Sequence, residues 1–198
     1  MTSLSKLDAT FWNERWVNQA TGWDIGYASP AITEYFNQYR DRNASILIPG
    51  CGNAYEAEYL SVKGYSNITL VDFAPDAVIR LKEKFKKNPE VHVIQTDFFE
   101  HVGNYDLIVE QTFFCALVPA QRQSYVQKMH SLLQPNGKII GLLFNISFEK
   151  DGPPFGGTIE EYITLFSPYF DIQIMAPAFN SIAPRAGSEL FVILKRKP

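Results

Sequence analysis

Cysteine is scarce: 198 residues include only Cys51 and Cys115, too few for a disulfide scaffold. The three histidines, His92, His101 and His130, are dispersed without ligand spacing, so no metal centre is expected. No apolar run approaches the roughly 20 residues of a membrane-spanning helix, and the opening Met1-Thr2-Ser3-Leu4-Ser5-Lys6 has no apolar leader core. A cytoplasmic chain without membrane attachment is therefore expected. Positive charge is not in excess either. With 18 Lys+Arg against 21 Asp+Glu, the net charge of -3 gives no footprint for gripping nucleic acid. Repeats and biased linkers are missing as well, so residues 1–198 read as one monomeric domain: an N-terminal segment, 1–43, and a core, 44–198.

What is present is alternation. From Ala44 onward, short β-branched runs alternate with helical patterns, the signature of strand-helix-strand units. Ile46-Leu47-Ile48 reads as a buried strand that stops at Pro49-Gly50-Cys51-Gly52, with a helix over Ala54 to Lys63. Strands follow at 68–72, 91–96, 105–110 and 138–145. Helices are expected from Pro75 to near Lys87, from Pro119 through Leu133 until Gln134-Pro135-Asn136-Gly137 stops it, and over Thr158 to Leu165. The stretch between the closing strands 171–175 and 189–195 has Pro177, Pro184 and Gly187 but no helical periodicity. A parallel return needs a crossover, so the last strand should run antiparallel to its neighbours. The fold class is α/β: a Rossmann-like, seven-stranded, mostly parallel sheet with an antiparallel last strand and helices on both faces.

The strand-turn Gly50-Cys51-Gly52 and the acid Asp72, about twenty positions later at the end of the second strand, form the strongest chemical signal. Glycine permits close approach of a ligand to the backbone, and an acid at that distance can bind ribose hydroxyls. Dinucleotide sites usually add a third glycine beneath a pyrophosphate, but here Glu56 occupies that neighbourhood and would repel phosphate. A phosphate-free nucleoside fits better, which makes S-adenosylmethionine the candidate cofactor. Asp97 at the end of the third strand, beside a backbone amide, suits the adenine edge, with Phe98 or Phe99 against the ring. Trp12 and Trp16, four apart on one helical face, and Trp23 in a glycine-flanked turn can exclude water and attract a sulfonium. Their bland alternative is a stripe that docks the segment on the core.

Together these segments resemble a class I S-adenosylmethionine-dependent methyltransferase. Trp12, Trp16, Gly22-Trp23-Asp24-Ile25-Gly26, Leu47 to Gly52, Tyr105-Asp106-Leu107-Ile108, Thr112 to Leu117 and Gly152-Pro153-Pro154-Phe155 are similar to the thiopurine S-methyltransferase family, and most similar to its halide/thiol methyltransferase branch. The resemblance implies cofactor contacts from Trp12, Trp16, Trp23, Gly50, Cys51, Gly52, Asp72, Phe73, Asp97 and Phe98. It also implies that Glu110, at the end of the fourth strand, faces the sulfonium and acceptor side. That branch often carries Asp followed by Tyr where this chain has Glu110-Gln111.

Methyl transfer to a soft anion needs positioning and desolvation more than a base. The apolar segment Phe113-Phe114-Cys115-Ala116-Leu117, free of histidine and lysine, suits a thiolate, a thiopurine-like thiol or a halide. Phe113, Phe114, Phe144 and Phe155 are candidate walls, Arg122 and Arg185 candidate anchors, and Tyr27 or Tyr162 candidate hydrogen-bond donors. No catalytic side chain is assigned, and the two cysteines read as packing residues. O- or N-methylation of a small metabolite, a nicotinamide-dependent oxidoreductase and a non-catalytic binding module remain open alternatives.

Overall fold

The computed structural model describes residues 7–198; Met1 to Lys6, read above as lacking an apolar leader core, lie outside the described residues. Strand β1 (Ile46–Pro49) is buried along its whole length, as a central strand covered on both faces must be. Parallel to it run β2 (Ile68–Asp72) on one side and β4 (Tyr105–Gln111) on the other, with β3 (Val91–Gln95) outside β2 and β5 (Leu133–Phe144) outside β4. The closing strands are β6 (Phe170–Pro177) and β7 (Glu189–Arg196), and the sheet order is β3-β2-β1-β4-β5-β7-β6. Strand β7 pairs antiparallel with both β5 and β6, as expected from the helix-free return.

Helices α2 (Pro30–Gln38), α3 (Tyr55–Val62) and α4 (Pro75–Lys84) cover one face, where Ile32, Phe36, Leu60 and Leu81 pack on Ile46, Ile48, Leu70 and Val109. Helices α5 (Arg122–Leu132) and α6 (Ile159–Phe166) cover the other, burying Tyr125, Val126, Met129, Tyr162 and Phe166 against Ile108, Ile139 and Leu143. Alternate residues of each strand feed opposite faces, so the sheet is the shared wall of two apolar layers. Helix α6 begins in a capping box, in which Thr158 and Glu161 satisfy each other's backbone amides.

Helix α1 (Ala9–Val17) starts at Asp8, whose side chain accepts from the Phe11 amide at 3.0 Å. It lies against the start of α4, where Ala74 and Ala77 leave room for Trp12 and Trp16.

Two elements differ from the sequence expectation. Helix α2 is absent from the reading above, although Pro30 opens it and Ile32 and Phe36 lie one turn apart on its inner face. Strand β5 begins directly after α5, at Leu133, which pairs with Tyr105. Gln134 to Gly137, read as a stop, instead forms an irregularity within the strand, with Asn136 at φ 68°.

Candidate active site

In a sheet of this order, ligands sit beyond the carboxyl ends of the strands where the order reverses, here between β1 and β4. The turn after β1 has Gly50 at φ 56° and Gly52 at φ 53°, backbone that side chains resist. A Cβ on Gly50 would lie 2.2 Å from the Phe113 ring, and one on Gly52 would lie 3.5 Å from Trp16 and 3.9 Å from Trp23. The close approach expected of a ligand at Gly50 is thus made first by Phe113, whose ring reaches on to Phe98 at 5.0 Å. Gly50, Cys51 and Gly52 all stay partly exposed beside these rings.

Asp72 ends β2 within reach of the turn. Its carboxylate accepts from the Gly52 amide at 3.3 Å and from Ala74 at 3.0 Å, leaving further lone pairs on both oxygens. Burial raises its pKa, while the Ala74, Gly52 and Phe73 amides pull it back down. Phe73 packs beside Trp12, Trp16 and Trp23. Past β3, Asp97 is exposed and accepts from the Phe99 amide at 2.8 Å, while Phe98 is buried. The three tryptophans form one edge-to-face cluster, with Trp23 5.4 Å from Trp12 and 5.9 Å from Trp16.

The glycine pair, Asp72, Asp97, Phe98 and the tryptophans are therefore brought to one end of the sheet. A glycine cradle whose positive-φ backbone disfavours side chains, a buried acid with spare lone pairs and an aromatic cluster fit S-adenosylmethionine. The pyrophosphate of a dinucleotide fits poorly, because the buried Glu56 carboxylate sits in the first turn of α3, accepting from the Ser29 amide at 2.9 Å.

Several acceptor-side expectations need correction. Phe114 is 1% exposed and packs among Tyr125, Tyr162 and Phe166, so it is core and not pocket wall. Arg122 donates to the Gly156 carbonyl at 2.6 Å and stacks on Phe114, which spends it on holding the 150s loop. Tyr162 donates to the Phe144 carbonyl at 2.7 Å and is likewise structural. Glu110 turns inward: Oε1 accepts from the Phe113 amide at 2.8 Å and the Phe114 amide at 2.9 Å, and Oε2 accepts from the Tyr125 hydroxyl at 2.5 Å. It does not face outward as the resemblance implied, because all the donors lie beneath it.

Phe113, Phe144 and Phe155 keep partial exposure. Phe155 lines a shallow cleft of about 210 Å³ with Phe148, Pro119 and Lys150, and its amide donates to the Cys115 carbonyl at 2.7 Å. The Cys115 thiol donates to the Thr112 carbonyl, and burial pushes its pKa up, as it does that of Cys51. Among the described residues no group of His, Cys, Asp and Glu could hold a metal.

Two ties escaped sequence reasoning. Arg185 pairs with Glu189 at 3.5 Å, donates to the Trp23 carbonyl at 2.8 Å and lies over Phe144 at 5.6 Å. Asp24 accepts from Asn53 at 2.5 Å and from Tyr55 at 3.3 Å, tying the N-terminal segment to the glycine turn.

Residues 7–189 match the sequence profile of the family described as Thiopurine S-methyltransferase (TPMT). Probable thiol methyltransferase 2 of Arabidopsis thaliana is 32% identical over 192 residues, covering 94% of this chain and 84% of that protein. Thiocyanate methyltransferase 1 of Brassica oleracea is 27% identical, covering 90% of this chain and 81% of its own length. Among solved structures, 1,6-didemethyltoxoflavin-N1-methyltransferase of Burkholderia thailandensis, with S-adenosylhomocysteine bound, superposes at a TM-score of 0.74 with 18% identity, over 96% of this chain and 87% of that one. That likeness shows the fold. No helix among the described residues is long and apolar enough to cross a membrane. With the cradle, the acid and the family match in hand, the chain belongs to the thiopurine S-methyltransferase family and is an S-adenosylmethionine-dependent methyltransferase.

Proposed function

We propose that the methyl acceptor is a small, soft, anionic nucleophile of the thiolate, bisulfide, thiocyanate or halide kind. One observation carries this reading: among the described residues, no side chain of the 110–117 segment is free to act as a base. Glu110 is 1% exposed with its carboxylate turned to three donors in the core, and the Cys115 thiol donates to the Thr112 carbonyl. His101 bonds Tyr105 at the amino end of β4, and His130 contacts the Lys197 carbonyl at the last turn of α5. An acceptor that arrives without help must already be nucleophilic, which favours soft anions over alcohols and amines. The curated relatives, named for thiol and thiocyanate methylation, point the same way.

When bound, S-adenosylmethionine supplies an electrophilic methyl group on a cationic sulfur. The residues proposed to hold it are Gly50, Cys51, Gly52, Asp72, Phe73, Asp97, Phe98 and the three tryptophans. Asp72 directs its spare lone pairs at sugar hydroxyls, and Asp97 with the Phe98 backbone amide reads the base edge, the Phe98 ring itself being buried against Phe113 and Tyr125. Trp12, Trp16 and Trp23 form an aromatic lid that excludes water, each favourable contact with a cation contributing roughly 0.5 to 2 kcal/mol. Arg185, paired with Glu189, fastens that lid through the Trp23 carbonyl and lies over Phe144. Phe113, Phe144 and Phe155 supply apolar surface that strips water from the nucleophile.

The test is a panel of acceptors with S-adenosylmethionine as donor: bisulfide, thiocyanate, iodide, aromatic thiols, and an alcohol and an amine. Turnover confined to the soft anions and thiols is expected. Turnover of the alcohol or amine alone would overturn the acceptor assignment while leaving the cofactor in place.

A further inference from the structure

Strand β4 ends at Gln111, and the next residue, Thr112, takes φ 59°, a conformation that a β-branched residue rarely adopts. Such backbone persists only where its surroundings over-determine it. Around it, the Cys115 thiol donates to the Thr112 carbonyl, the Ala116 amide to the Phe113 carbonyl and the Phe155 amide to the Cys115 carbonyl, and one buried side chain takes the two amides that follow. Glu110 is 1% exposed, and its carboxylate gathers the Phe113 and Phe114 amides on one oxygen and the Tyr125 hydroxyl on the other. Those amides open the 3-10 turn Phe114–Ala116, and Phe113 is the residue whose ring rests on Gly50. Gly141 of β5 makes the space, since a Cβ there would lie 2.1 Å from the Glu110 carbonyl oxygen. No lysine, arginine or histidine forms an ion pair with Glu110 among the described residues. A buried, unpaired carboxylate is costly, and its retention asks for a reason that a leucine would not serve.

We propose that Glu110 is a positioning residue: through its three hydrogen bonds it sets the Thr112–Ala116 turn, and so fixes Phe113 as the floor between the cofactor turn and the acceptor. The inference rests on the Gly50 turn being the cofactor seat. Three donors and no acceptor converge on the carboxyl, so its oxygens must accept and Tyr125 must hold one of them in place. Removing Glu110 leaves two amides and a hydroxyl pointing into an apolar layer. The turn then loses its template, and the ring loses its place on Gly50.

Three variants separate placement from mere stability. Glu110→Gln keeps a carbonyl oxygen for both amides, Glu110→Leu keeps only volume, and Tyr125→Phe removes one donor. Amide hydrogen exchange at Phe113 and Phe114, measured without cofactor, should quicken by about tenfold or more in Glu110→Leu, with Leu47 and Ile48 in β1 unchanged. With bisulfide as acceptor, kcat should fall by about tenfold or more while KM for S-adenosylmethionine moves less than about threefold, and Glu110→Gln should recover most of the loss. Should Glu110→Leu fail to fold, Tyr125→Phe carries the test with changes of about threefold in exchange and kcat. Glu110→Gln performing no better than Glu110→Leu, or Tyr125→Phe leaving both readouts at the wild-type value, overturns the proposal. Calorimetry of the wild type with S-adenosylhomocysteine tests the cofactor seat separately: failure there overturns the seat, while the exchange data still decide whether Glu110 templates the turn.

Discussion

The two sides of the site are fastened in opposite ways. The stretch from α1 to Trp23 lies on the core through buried Trp16, half-buried Trp12 and Trp23, and a few part-buried polar ties: Asn13 with Asp76, Asp24 with Asn53, and Arg185 with the Trp23 carbonyl. The Thr112–Ala116 turn is set by a carboxylate sunk in the apolar layer and backed by Phe114, Tyr125 and Phe166. Polar ties near the surface exchange readily with water and cost little to break, whereas buried ones do not. The difference teaches that the segment proposed to cover the cofactor is held by part-buried ties, while the turn proposed to aim the acceptor is built into the core.

The sharpest way to break this contrast is Phe114→Ala. It should destabilise the fold by about 3–5 kcal/mol in denaturant titration; a loss below about 1 kcal/mol would make the turn as loosely held as the N-terminal segment. Next comes Asp72→Ala at the joint between the two sides. Affinity for S-adenosylhomocysteine should drop about a hundredfold by calorimetry because charged hydrogen bonds to sugar hydroxyls disappear, and undiminished affinity would remove the ribose assignment.

A smaller effect comes from pH. Burial raises the Glu110 pKa to about 7 against the pull of Tyr125, Phe114 and Phe113. An acid whose pKa is raised by folding contributes stability that is present in full below its unfolded pKa and is lost as pH rises through its folded one. Global stability should thus fall by on the order of 1 kcal/mol between about pH 6 and about pH 8, and Glu110→Gln should flatten that slope in denaturant titrations. The smallest change is Arg185→Lys, which keeps a cation for Glu189 but loses the second arm to Trp23. Cofactor affinity should weaken by about threefold with the melting temperature nearly unchanged; a large melting shift would place the N-terminal segment among the rigid parts.

Much of the site was legible because its signals are local. Gly50 and Gly52 announce a turn that only glycine takes comfortably, and Asp72 stands at the end of an apolar run, so both could be placed without knowing what packs where. The antiparallel return of β7 followed from a missing helical period. Helix α2 carried a readable cue in the spacing of Ile32 and Phe36, but its single inner face is short. Residues whose roles depend on distant partners could not be read. Arg185 meets Trp23 across 162 positions, and nothing near either residue reports it. Phe114 and Phe113 are neighbours of one chemistry, yet one sinks into the α5 and α6 layer while the other lies on Gly50. The family resemblance implied an outward-facing Glu110, whereas three donors below it turn it in.

Strand β7 fills an interior slot of the sheet, between β5 and β6, although it is the last of the seven in chain order. A nascent polypeptide halted before Glu189 would therefore carry two bare strand edges, those of β5 and β6, each with unpaired amides and carbonyls open to a foreign strand. Sheet closure waits on a contact between remote parts of the chain, a topology associated with slow folding and with aggregation of the incomplete product.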